Sequence, residues 1–323
     1  MKNLDNLDKY QIKKIYKINF SKINVEFLKF QSFFLSDIYR RYNFDLDNAN
    51  IILFFILESH KQILRERDFD LNLDISLENF WKNYSKLHQK KIKISEISSA
   101  LGIPKETIRR KIEVLIKLKI LKKNSKTIYW SPSDQDKNYF DKIVEKNIQE
   151  ITKIFKIITI HNKSKISSIE IKNTCLKYFS FYTFHFLNVQ IKYLKLMYDQ
   201  LKDLELLLIM IECSIETYKF KKIQTYSFEE IYSLRKEINT HDTPSVSADS
   251  MSRTTGIPRS TCIRKLKKLF KLKIIDKDLI TKKYYFNNKN FISNPLQTLS
   301  INEKVIDMFG NFYFIILKIL RKN

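Results

Sequence analysis

Ile94-Ser-Glu-Ile-Ser-Ser-Ala-Leu-Gly-Ile-Pro-Lys-Glu-Thr-Ile-Arg-Arg-Lys111 and Met251-Ser-Arg-Thr-Thr-Gly-Ile-Pro-Arg-Ser-Thr-Cys-Ile-Arg-Lys265 are the stretches on which the fold turns. The chain has three glycines in 323 residues, and two of them, Gly102 and Gly256, open the same Gly-Ile-Pro tripeptide. Ser95 and Asp249 suit the N-cap of a short helix in which Ile97 and Met251 point inward. Gly102 and Gly256 then fall where that helix must end in a left-handed conformation, which costs a side-chain-bearing residue roughly 1 kcal/mol. Pro104 and Pro258 suit the first turn of the next helix, where a missing N–H is harmless. In that helix Ile108, Ile112 and Leu115, matched by Cys262, Leu266 and Leu269, form an inward stripe. The other face exposes Lys105, Thr107, Arg109 and Arg110 in one stretch and Arg259, Ser260, Thr261, Arg264 and Lys265 in the other.

Each stretch runs on into β-prone residues. Leu118–Trp130 places polar Asn124-Ser125-Lys126 between two such runs and reads as a hairpin, with Ile274–Phe286 as its counterpart. Lys122, Lys123 and Lys126, with Lys282 and Lys283, make both hairpins basic.

The glycines lie 154 residues apart, and that interval carries outward. It brings the apolar run at Ile51 onto the run at Glu205, Tyr39 onto Tyr193, and Phe27 and Phe30 onto Phe181 and Phe184. Ser76–Trp81 resembles Ser227–Tyr232 at an interval of 151, which requires three extra residues in the second copy. An internal duplication of roughly 155 residues accounts for this. It predicts two units, 1–160 and 161–323, with basic elements at about 92–131 and 246–287. Helical periodicity and scarce breakers predict a mainly α chain. Long helices are expected over Asp45–Arg65 and Lys202–Tyr218, and further helices over Lys142–Thr159 and Ile301–Leu320.

The net charge of +24 points to a polyanion: nucleic acid first, an anionic membrane surface second. A lysine-rich, glycine-poor composition follows from a genome drifting toward A and T, but drift does not explain placement. Residues 93–126 hold ten Lys or Arg against three Glu, and 246–283 hold eleven against three Asp. Five of the eleven arginines fall inside these two segments, although drift depletes arginine. The charge is therefore localised.

Other chemistries find little support. Cys175, Cys213 and Cys262 are scattered and odd in number, so no disulfide framework is implied and a cytoplasmic setting fits. Met1–Lys14 has no apolar signal segment, and the runs Ile51–Leu57 and Leu204–Ile211 are too short to span a bilayer, so no membrane partner is expected. His60, His88, His161, His185 and His241 have no metal-ligand spacing. Three glycines cannot supply a phosphate loop, and Glu229-Glu230 reads as helix-surface charge. No enzyme activity, cofactor or metal is expected. The aromatic stretches Tyr178–Phe186 and Phe27–Phe34 read as core, with an effector pocket as the alternative and the effector itself unidentified.

The two opening stretches resemble the reading element of bacterial winged helix-turn-helix transcription regulators of the MarR, IclR and GntR type. The resemblance covers about 40 residues in each copy and departs in two places. Lys119 and Lys273 stand where a glycine usually precedes the wing, and His60–Lys91 separates the core helix from the reading element. What the resemblance implies is double-stranded DNA as partner. The second helix would lie in the major groove, its arginines on guanine, and the wing lysines would reach phosphate or minor groove. The expectation is a transcription regulator with two covalently linked, non-identical reading heads, pairing of whole chains as a homodimer being left open. A plasmid- or phage-type replication initiator with two winged helices, or a winged-helix interaction module, are the alternatives.

Overall fold

Capping side chains fix where many of the helices begin, in a computed structural model that describes residues 7–42, 44–88, 90–161, 166–220, 227–230, 246–278, 280–286 and 295–321. Asp8 opens α1 (Lys9–Ile18) with a reciprocal box to Gln11. After α2 (Phe20–Arg41), Asp45 opens α3 (Leu46–Phe69) and Ser76 opens α4 (Leu77–Lys86), each accepting from a backbone N–H three residues on. Then come α5 (Ile94–Leu101), α6 (Lys105–Lys117), β1 (Leu121–Asn124), β2 (Thr127–Trp130) and α7 (Asp134–His161).

Much the same order follows again, with only the helical residues 228–230 described where a counterpart of α4 would fall. Ser167 caps α8 (Ser168–Lys177), which leads into α9 (Phe179–Leu201), and Asp203 accepts from the Leu206 N–H at the start of α10 (Leu204–Phe220). Next come α11 (Ala248–Thr255), α12 (Arg259–Lys271), β3 (Ile275–Lys277), β4 (Tyr284–Phe286) and α13 (Pro295–Arg321). The chain is mainly helical, as expected. Its two antiparallel hairpins pair Leu121 with Trp130 and Ile275 with Phe286.

The expected interval needs correction in the N-terminal helices. The caps Asp8 and Ser167, and the first residues Phe20 and Phe179, are 159 apart; Leu46 and Leu204 are 158 apart. Only from Gly102 and Gly256 does the interval become 154. Phe27 therefore matches Phe186 and not Phe181, Phe30 matches Val189 and not Phe184, and Tyr39 matches Tyr198 and not Tyr193. Caps set helix register, and the second half is shorter between its long helix and its glycine turn.

That register exposes an approximate two-fold relation. Gln31, fully buried on α2, donates to the Gln190 side-chain carbonyl at 2.9 Å, and Gln190 donates back at 3.4 Å. These two residues occupy matching positions, so each amide satisfies its own counterpart. Around them Phe27 meets Tyr193 edge-on at 5.4 Å, while their counterparts Phe186 and Phe34 meet edge-on at 5.8 Å. Reciprocal contact of this kind is the signature of an isologous interface. Larger pieces obey it too: α3 packs on α9 as α10 packs on α2, and α7 lies against α2 as α13 lies against α9. Each half supplies a helix to the other's core.

Within His60–Lys91 lie the end of α3 and all of α4. Phe80 anchors it in an aromatic cluster with Trp81, Tyr84, Trp130, Phe140 and Phe179, and the Tyr84 hydroxyl donates to the Trp130 carbonyl. The base of the first hairpin is thereby tied to α4, α7 and α9. His60 stacks on Phe80 at 4.6 Å with its ring fully buried, and burial pulls its pKa from 6.5 down to about 3.

Candidate nucleic-acid interface

Both basic elements are built by the same local rules. Gly102 ends α5 at φ 74° and Gly256 ends α11 at φ 79°, the left-handed conformation expected of them. A Cβ on Gly102 would sit 3.2 Å from the Asp199 carboxylate, and one on Gly256 only 2.7 Å from Arg40 Nε. Each turn thus rests on the end of the opposite half's long helix. Lys195 reinforces this by donating to the Ser99 carbonyl, and Arg40 by donating to that of Thr254. Pro104 and Pro258 take the N-cap position, one residue earlier than expected. The N-caps of the preceding helices also differ from expectation: Lys93 precedes α5 without a side-chain cap, and Ser247 caps α11 through Ser250. Asp249 is left to pair with Arg259 at 2.5 Å.

Ile108, Ile112 and Leu115 on α6, and Cys262, Leu266 and Leu269 on α12, are buried as the stripe predicts. Lys105, Arg109 and Arg110 are exposed, as are Arg259, Ser260 and Arg264, while Thr107 and Thr261 are half-buried. Arg109 is held by Glu106 at 2.9 Å one turn away. Among the described residues no carboxylate pairs with Arg110 or Arg264. These two arginines sit at matching positions, 154 apart, and project from matching helices.

Lys265 does not belong with them. It is 9% exposed, its ammonium 2.5 Å from Asp203 and 3.0 Å from Glu205 at the start of α10. It lies one turn from Cys262, beside the inward stripe, and two acidic side chains draw it under the helix. Lys111 does the same in the first half, 2.6 Å from Asp45 and 3.8 Å from Asp47. Burial pushes the Asp47 carboxyl up to about 6, with Lys111 opposing. This pair of matched lysines clamps each basic helix to the N-terminus of a core helix.

No known family, curated protein or solved structure matches this chain.

Two residues that the sequence marked only as departures acquire a role here. Lys119 and Lys273 adopt φ 59° and 58° just past α6 and α12. Their N–H groups reach the carbonyls of Ile116 and Phe270, and the next N–H groups reach Leu115 and Leu269, closing the double-bonded C-terminal turn normally reserved for glycine. Both are exposed, at the junction of basic helix and hairpin. Their signal was the Leu-Lys-Ile triplet common to both copies.

In the first hairpin Lys122, Lys123 and Lys126 are exposed around a tight Ser125–Lys126 turn with Ser125 at φ 54°. Lys282 and Lys283 are exposed in the second, where the Asp278 carboxylate accepts from the backbone N–H groups of Thr281 and Ile280, which hold it below its ordinary range. The arrangement presents cations on one helix face and an adjoining hairpin, twice.

Among the described residues no three His, Cys, Asp or Glu side chains gather to hold a metal ion. No described helix is long and apolar enough to cross a membrane. The three cysteines are buried, and burial pushes Cys262 up to about 11 and Cys175 up to about 12, far from a reactive thiolate.

Proposed function

We propose that the chain is a tandem duplicate of a winged helix-turn-helix unit that binds double-stranded DNA sequence-specifically and regulates transcription. The observation that carries this reading is the matched pair Arg110 and Arg264, exposed and without a carboxylate partner among the described residues, on helices that each follow a left-handed glycine turn. A major groove accepts one α-helix, and a guanidinium there bridges guanine O6 and N7. α6 and α12 are the groove-entering helices. Arg109 and Arg259, already engaged by Glu106 and Asp249, are suited to phosphate contacts that need less exact geometry. Lys122, Lys123, Lys126, Lys282 and Lys283 neutralise the flanking backbone.

The two-fold relation between the halves bears on the operator. Two heads related in that way meet half-sites that are inverted with respect to each other, about one helical turn apart. Lys105, Glu106 and Arg109 face Arg259, Ser260 and Ile263 at matching positions, so the half-sites are unlike outside a shared guanine. Covalent linkage raises the effective concentration of the second head once the first is bound. Three buried thiols fit a cytoplasmic setting.

A gel shift over a salt series tests the reading. Six or more phosphate contacts predict an affinity loss of roughly a thousandfold between about 50 and 200 mM salt. Arg110→Ala should weaken binding by about 1–3 kcal/mol and relax choice at one base pair. Lys126→Ala should weaken all sequences alike. Weak, salt-insensitive binding in every sequence would reject the proposal in favour of a protein-docking module.

A further inference from the structure

The two basic helices distribute charge differently. α6 carries five Lys or Arg and two Glu, whereas α12 carries six and no acidic residue. Both carboxylates of α6, Glu106 and Glu113, are exposed. With Arg109 and Arg110 they fall at i, i+3, i+4 and i+7, one stripe facing away from the buried Ile108, Ile112 and Leu115. That is the spacing with which a helix docked in the major groove presents side chains to base edges. The matching positions on α12 are Ser260, Ile263, Arg264 and Lys267. At the last of them the charge is reversed.

Glu113 serves no need of the fold that its counterpart shares. Glu106 holds Arg109, but among the described residues no cation lies within ion-pair distance of Glu113, although Lys117 stands one turn on. It lies past the middle of α6, beyond the first turn in which the helix dipole favours a carboxylate. The same helix accommodates a lysine there in the second copy, where Lys267 is exposed. A carboxylate at this place repels the phosphates that a basic helix approaches, so it weakens sequence-indifferent binding by the head that carries it.

The hairpins reverse the balance. The first carries Lys122, Lys123 and Lys126 and no acidic residue, whereas the second sets Asp276 and Asp278 against Lys277, Lys282 and Lys283. Phosphate-binding charge is thus concentrated on the hairpin in the first head and on the helix in the second. The outward stripe of α6 is left with both signs. Base edges call for both, since guanine offers acceptors and cytosine a donor amine. A stripe of cations suits phosphate.

We propose that Glu113 is the specificity-determining residue of the first head, its carboxylate accepting a hydrogen bond from the exocyclic amine of a cytosine close to the guanine contacted by Arg110, and that Lys267 contacts phosphate in the second. Glu106 is occupied by Arg109 and leaves that choice to Glu113. The inference rests on the DNA-binding reading above and adds to it the residue that discriminates and the base it selects.

Selection of bound fragments from random double-stranded DNA, by the full chain and by Glu113→Gln, tests it. The wild-type motif should hold a cytosine close to the guanine of one half-site only. A glutamine amide donates as well as accepts and pairs with adenine, so the variant should lose the cytosine and enrich adenine there, each preference being roughly tenfold. Position 113 is exposed, so the variant should fold. A carboxylate that acts only by repelling phosphate would leave the motif unchanged while affinity for every sequence rises, and that result overturns the proposal. Lys267→Ala should weaken binding to a random-sequence duplex and lower its salt slope by about one; an unchanged slope removes Lys267 from the phosphate contacts and overturns that half of the proposal. A wild-type chain that binds no duplex defeats the DNA reading itself. One that enriches a motif indifferent to Glu113 defeats this inference alone.

Discussion

α6 and α12 are built alike and carry different side chains outward. Both follow a proline N-cap, bury the same stripe, clamp a lysine beneath themselves and end in a left-handed lysine. Both expose an arginine at the sixth position. They differ at the first, second and fifth positions, where Lys105, Glu106 and Arg109 face Arg259, Ser260 and Ile263. What they share is what the fold requires and, on the proposed reading, what a common base contact would require. The buried stripe differs only in apolar identity, Ile108 and Ile112 against Cys262 and Leu266, so the change of charge falls on the outward face, where two heads of the proposed reader would acquire different preferences.

The largest expected difference between the halves lies in the clamps. Lys265→Met leaves Glu205 without its cation and Asp203 with only the exposed Lys268 at 3.8 Å, and should cost about 3 kcal/mol. Lys111→Met should cost about 1 kcal/mol, because Asp45 is 34% exposed against 17% for Asp203 and solvent screens it. Urea titrations of the two variants check the ranking, and equal losses would break the comparison.

Acid should also separate the halves. His60 is buried neutral in the first half, while the matching position in the second is Tyr218. Its folded pKa lies below its unfolded value, so stability is intact above 6.5 and is lost as pH falls below it. Between pH 6.5 and 5 the loss is about 2 kcal/mol. His60→Phe should flatten that part of the stability profile; an unchanged slope would remove His60 from the account.

The smallest effect concerns the two left-handed lysines. Lys119→Gly or Lys273→Gly should stabilise the fold by about 0.5–1 kcal/mol, since glycine takes that conformation without steric cost. If the cation serves phosphate binding, the same change lowers the salt slope of DNA affinity by about one. Thermal midpoint and salt slope together show whether strain was kept for charge.

Much of this was legible in the sequence because it is local. Glycine turns, inward stripes and hairpins depend on residues a few positions apart, and the αL glycines fell where expected. Long-range facts were not legible. Lys265 looked exposed because its partners, Asp203 and Glu205, are some sixty residues away. The reciprocal Gln31–Gln190 pair is invisible without the three-dimensional packing, and a register drawn from the glycines misaligned the N-terminal helices by four or five residues.

Selection of bound fragments from random double-stranded DNA by the full chain tests the central claim most directly. The account predicts a composite motif of two inverted, unlike half-sites about one helical turn apart, with a guanine at the same relative position in each. A lone half-site, direct repeats, or no enriched motif would contradict it.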